Sequence, residues 1–320
     1  MSSPNDSLRP EPPADAAKAA PTPPHGPIQG HRGQAQEHRL SLCNDVVFKA
    51  LFSRHPQLLS DLINAVRHPA APIKVQRILN PNILPQDLAG KEIMLDILAE
   101  DDSGQRFAIE MQLRRYLHWP QRSVYGVARG LSGQLEAGQN YRHLQPVIGI
   151  NLLAHNLFTD YPDKALWHFT LRDAECAQVQ LGSALQMHII ELPKAEALGK
   201  LPAPLSAWIA CLLHNLDEAA MNEITHPPVK EALAHLETMY SDEELRLMAE
   251  RREQALVDTE DMLDYARFEK AQQILISQLE HKFGPLPKHY RSRLPQATDD
   301  QLQRWSLNVL DAQRIEDVFV

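Results

Sequence analysis

The stretch from Lys91 to Leu113 constrains the fold more than any other. Two strand-like runs, Glu92–Ala99 and Gln105–Leu113, are separated by acidic residues and a glycine, Asp101-Asp102-Ser103-Gly104. Side chains alternate along a strand, so Ala108, Glu110 and Gln112 share one face, and Phe107, Ile109, Met111 and Leu113 share the other. The apolar face must pack on a core, which holds the polar face rigidly. Asp102-Ser103-Gly104 suits a three-residue hairpin loop with glycine in the left-handed position. Asp101 then opposes Gln105, and carrying that register back sets Asp96 opposite Glu110. A two- or four-residue loop would shift the pairing by one and put the acids on opposite faces.

Two carboxylates meeting across a strand pair repel each other, so unless one is protonated something cationic should sit between them. A hard divalent ion takes such oxygen ligands. The same alternation also suits an ordinary half-exposed hairpin with both acids in solvent.

The flanking sequence completes a mixed α/β pattern. Val47, Phe48, Leu51 and Phe52 stand at helical spacing, and Leu58, Leu59, Leu62 and Ile63 carry an apolar face to about Val66. His68-Pro69 and Ala71-Pro72 stop it. Ile73–Leu79 reads as a short strand, followed by the turn-forming Asn80-Pro81-Asn82. Arg122 to Ala137 reads as a helix, with Gly138 as its stop. Pro146–Leu153 is an apolar run that suits a buried strand.

Four segments follow. Residues 1–38 hold eight prolines among Ala, Ser and Gly, and read as a disordered tail. Residues 39–240 hold the α/β domain, turning mostly helical after about Met187. Residues 241–271 form a charged helical linker that opens on the capping signature Ser241-Asp242-Glu243-Glu244. Residues 272–320 form a small all-helical module. It carries Leu275, Leu279 and Phe283 four apart, a stop at Gly284-Pro285, and a second capping box at Thr298 and Gln301.

The formal net charge of −9 argues against a general nucleic-acid coat protein. Charge is unevenly spread, however. From Gln105 to Arg142 there are Arg106, Arg114, Arg115, Arg122, Arg129 and Arg142 against Glu110 and Glu136 alone, a local charge of +4. The guanidinium fork suits phosphate contacts. Arg114, Arg115, Arg122 and Arg129 are the candidate DNA contacts, with Tyr116 and Trp119 as candidate stacking groups. Three scattered cysteines indicate neither a disulfide framework nor a zinc site. The N-terminus shows no apolar signal region, and no apolar stretch approaches the roughly 20 residues of a membrane span. A soluble, cytoplasmic protein is expected.

Asp96-Ile97 and Ile109-Glu110-Met111-Gln112 closely resemble the core of the Rpn-like recombination-promoting nucleases and putative transposases, members of the PD-(D/E)XK superfamily. Asn44-Asp45-Val46-Val47-Phe48-Lys49-Ala50-Leu51-Phe52 is similar to that family's entry helix. Arg122-Ser123-Val124-Tyr125, Gln134-Leu135-Glu136-Ala137-Gly138 and Tyr141 through Val147 are similar to its helix and following strand. The last fifty residues resemble a helical domain often found after this nuclease.

The resemblance implies a restriction-endonuclease-like core, a mixed sheet flanked by helices, and bacterial DNA breakage and recombination. By resemblance, Asp96 and Glu110 hold Mg²⁺ or Mn²⁺, and Gln112 takes the place of the superfamily's lysine. Asp45 and Lys49 are secondary catalytic candidates, with Lys49, Arg114 and Arg115 able to replace the missing charge. The expected partners are DNA and, if the C-terminal helices assemble, further copies of the chain. Neither a membrane nor an organic cofactor is expected. The rival reading is a catalytically weak or inactive DNA-binding protein on a nuclease fold.

Overall fold

The computed structural model describes residues 40–80, 97–136, 138–214, 220 and 223–320. The proline-rich tail, the turn at Pro81-Asn82, the start of the first hairpin run and Asp96 lie outside the described residues.

The chain enters through two helices, α1 (Asp45–Arg54) and α2 (Pro56–Arg67). The single apolar face read from the sequence is broken at His55-Pro56, because proline cannot donate the helical hydrogen bond and starts a new helix instead. Asn44 caps α1, its side-chain oxygen accepting from the Val46 and Val47 amides. Six strands then form one mixed sheet in the order β1-β2-β3-β4-β6-β5. They are β1 (Val75–Ile78), β2 (Ile97–Asp101), β3 (Arg106–Gln112), β4 (Val147–Leu153), β5 (Leu166–Thr170) and β6 (Leu185–Glu191).

The hairpin has the expected register. Ile97 pairs with Ile109, Leu98 with Ala108, Ala99 with Phe107 and Glu100 with Arg106. Its loop is closed by Asp101, whose Oδ1 accepts from the Ser103 and Gln105 amides, while Gly104 takes a φ of +84°. Between β3 and β4 lies α3 (Trp119–Ser132). It begins earlier than Arg122 because Pro120 fits the first turn, and it ends at Gly133 rather than Gly138. β4 runs parallel to both β3 and β6, and all seven of its residues are buried.

α1, α2, α5 (Ala203–Leu213) and α6 (Pro227–Met239) cover one sheet face, against Phe107, Ile109, Ile148 and Ile150. α3 covers the other face through Trp119 and Val127. The short α4 (Leu192–Leu198) follows β6 directly.

The linker and the next helical segment are one continuous helix, α7 (Glu243–Phe283), as expected for 41 residues free of Gly and Pro. Asp242, not Ser241, caps it. Its first turns pack on the main core through Leu245 and Ala249. Leu275 and Leu279 pack on α8 (Lys288–Arg291) and α9 (Asp299–Asp311), building a second core with Trp305 and Phe319. Those leucines are therefore satisfied within the chain. The Thr298–Gln301 capping box opens α9 as the sequence suggests. Among the described residues, no helix is long and apolar enough to cross a membrane.

Candidate active site

Strand alternation places Phe107, Ile109 and Met111 in the core and turns Ala108, Glu110 and Gln112 toward α3. β4 lies alongside in parallel register, pairing Ala108 with Gly149, Glu110 with Asn151 and Gln112 with Leu153. α3 crosses close to this surface because residue 149 is glycine: a Cβ there would meet Val127 Cγ2 at 2.8 Å. Where α3 and the sheet diverge they leave a cleft of about 500 Å³, lined among others by Arg106, Glu110, Ser123, Arg129 and Asn151.

Glu110 is buried, at 7% exposure, yet its side chain reaches this cleft. Arg129 is exposed on α3 at the cleft, and Arg106 enters it from the start of β3. Arg106 shares the carboxylate of Glu100 with Arg77, at 3.6 and 2.7 Å, so two cations surround one acid at this edge. The cleft thus combines one buried carboxylate with basic walls.

Gln112 donates from Nε2 to the Arg114 carbonyl at 3.0 Å. A carbonyl only accepts, so the amide is oriented and Oε1 is its remaining acceptor end. Arg114 is turned onto α7, pairing with Glu260 at 3.2 Å and reaching the Leu256 carbonyl. Arg115 is exposed, and Arg122 is half-buried on α3.

Asp45 binds Arg252 of α7 through both oxygens, at 2.7 to 3.0 Å, with both side chains 11% exposed. Lys49 is buried on the same helix. The stacking role for Trp119 fails, because the residue is 1% exposed and is buried at the start of α3 in one cluster with Leu153 and Val127. Tyr116 also packs against that cluster.

Sequence reasoning missed Ser123, Asn151 and the cleft position of Arg106. Asn151 did carry a signal, as the one polar side chain in an apolar buried run. Among the described residues no group of three acidic, histidine or cysteine side chains is placed to hold a metal ion. Asp96, the second expected ligand, lies outside them.

An antiparallel hairpin joined through a helix to a parallel strand, with an acid of the hairpin at the cleft, defines a PD-(D/E)XK nuclease-like core. The chain belongs to the PD-(D/E)XK nuclease family transposases, whose family model matches residues 42–266. That span includes the part of α7 that holds Asp45 and Arg114. No curated protein and no solved structure matches the chain.

Proposed function

We propose that the protein is a metal-dependent DNA endonuclease that hydrolyses phosphodiester bonds and promotes DNA recombination in a bacterial cytoplasm. One observation carries the reading: the buried carboxylate of Glu110 opens into a cleft walled by Arg106 and Arg129. The four described hairpin pairs follow the register from which the sequence derives an Asp96–Glu110 pair, which supports joint action of these acids.

Asp96 and Glu110 would hold the cation, Mg²⁺ or Mn²⁺, an all-oxygen donor set that suits a hard ion. Such an ion supplies charge neutralisation at the phosphate and a more acidic water. The protein's own groups do the rest. Arg106 and Arg129 bind the flanking phosphates, with Arg115 and Arg122 extending the track. Gln112 orders water through Oε1 but brings no charge, so neutralisation falls to the arginines. Asp45, clasped by Arg252, anchors α7 to α1.

The test is incubation of supercoiled plasmid with the purified chain, with Mg²⁺, with Mn²⁺ and with chelator. Nicking that requires the metal supports the reading. The rival, a DNA-binding protein without catalysis, is favoured by Gln112 standing where a lysine would carry charge. Salt-sensitive binding without cutting in either metal would establish it instead.

A further inference from the structure

The cleft floor holds a buried polar pair that substrate binding and acid ligation leave without a task. Asn151 is the fifth residue of β4, whose other residues carry only apolar side chains or none, and it is 3% exposed. Ser123 faces it from α3 at 4% exposure. Ser123 Oγ donates to Asn151 Oδ1 at 3.0 Å, and Asn151 Nδ2 donates to the His188 carbonyl at 3.3 Å. Because that carbonyl only accepts, it fixes the amide with Nδ2 toward β6 and Oδ1 toward α3. The serine has a single proton, shared between Oδ1 and the sulfur of Met187 at 3.6 Å. Beyond these bonds the pair presents oxygen lone pairs and the second amide N–H.

The placement is specific. Asn151 is the register partner of Glu110, and adjacent strands lie about 4.8 Å apart. Glu110, Ser123 and Asn151 all line the same cleft. The surrounding positions are stripped of bulk, with Gly149 beneath α3 and Gly126 facing open space. A polar pair that served only to fasten α3 would not need a cleft beside it. A neutral pair beside a carboxylate orders water without adding the repulsion of a further negative charge.

We propose that Ser123 and Asn151 are positioning residues that hydrogen-bond and orient water beside the Glu110 carboxylate, where a cation would be held. This rests on the metal-dependent reading above. Partners of this kind typically change metal affinity by about tenfold or more.

The experiment is Mn²⁺ binding to the full chain by calorimetry, together with thermal unfolding without metal and Mn²⁺-titrated plasmid nicking. The variants are Ser123→Ala and Asn151→Asp. Ser123→Ala is expected to weaken Mn²⁺ binding about tenfold, with little change in metal-free melting temperature. Asn151→Asp, which keeps the shape but adds a charge and gives up the donor to the His188 carbonyl, is expected to tighten binding while lowering the metal-free melting temperature. Half-saturation in nicking should move the same way in each. If Ser123→Ala does not fold, Asn151→Asp carries the test alone. Wild-type Mn²⁺ affinity in the folded variants would overturn the proposal and leave the metal-dependent reading standing. No Mn²⁺ binding by the wild type would overturn both.

Discussion

Two buried glutamates on one sheet differ in what borders them. Glu191, at the end of β6, is fully buried and bonded on both oxygens. Oε1 accepts from the Leu157 and Phe158 amides, and Oε2 from Trp167 Nε1 and Lys194 Nζ. Lys194 in turn donates to the carbonyls of Phe158, Tyr161 and Lys164, so the pair pins the loop after β4. Glu110 is almost as buried, but it lines a cleft with basic walls. Burial alone therefore does not mark a functional acid. What marks Glu110 is that it borders a space that a ligand can enter.

Substitutions at the two positions should separate stability from chemistry. Glu191→Ala leaves the Lys194 ammonium buried without its counterion, and should cost about 3–5 kcal/mol in denaturant unfolding. Asp45 is a second acid of the enclosed kind. Asp45→Ala strands Arg252, and should cost about 3 kcal/mol by the same measurement. A small stability loss in either, with abolished nicking, would move that residue to the functional class.

A pH titration sharpens the contrast further. Burial, with the neighbouring His168 and Arg67, pushes His188 down to about 4. The unfolded chain then binds more protons than the folded one between the ordinary histidine value near 6.5 and about 4, so stability falls as pH drops through that window. The full effect is on the order of 3 kcal/mol. His188→Gln should flatten the unfolding profile there. Some slope should remain, because burial also lowers His155 and His55.

The smallest effect concerns DNA. Arg129 is exposed at the cleft, whereas Arg114 is tied to Glu260 and the Leu256 carbonyl. Arg129→Ala should weaken DNA binding by about 1 kcal/mol and reduce the salt slope by about one. Arg114→Ala should do less. Equal losses would show that α7 does not compete for Arg114.

Much of this was legible in the sequence because it is local. The hairpin register follows from three loop residues and the left-handed Gly104, and the α9 cap from Thr298 and Gln301. Strands β5 and β6 were not placed. β5 is a short edge strand without clean alternation, and β6 is defined by its parallel partner β4. The Asp45–Arg252 pair joins residues 207 apart, which no local pattern announces. The cleft likewise depends on α3 approaching Gly149, a tertiary fact.

The most direct test compares plasmid nicking by the wild type with Asp96→Asn and Glu110→Gln at matched Mg²⁺, with each variant's unfolding measured in parallel. At least about a hundredfold loss of nicking is expected in each variant, the size seen when one transition-state electrostatic group is removed. The folded state should survive in both. Metal-dependent nicking that persists in folded Glu110→Gln would contradict the assignment of this cleft as the active site.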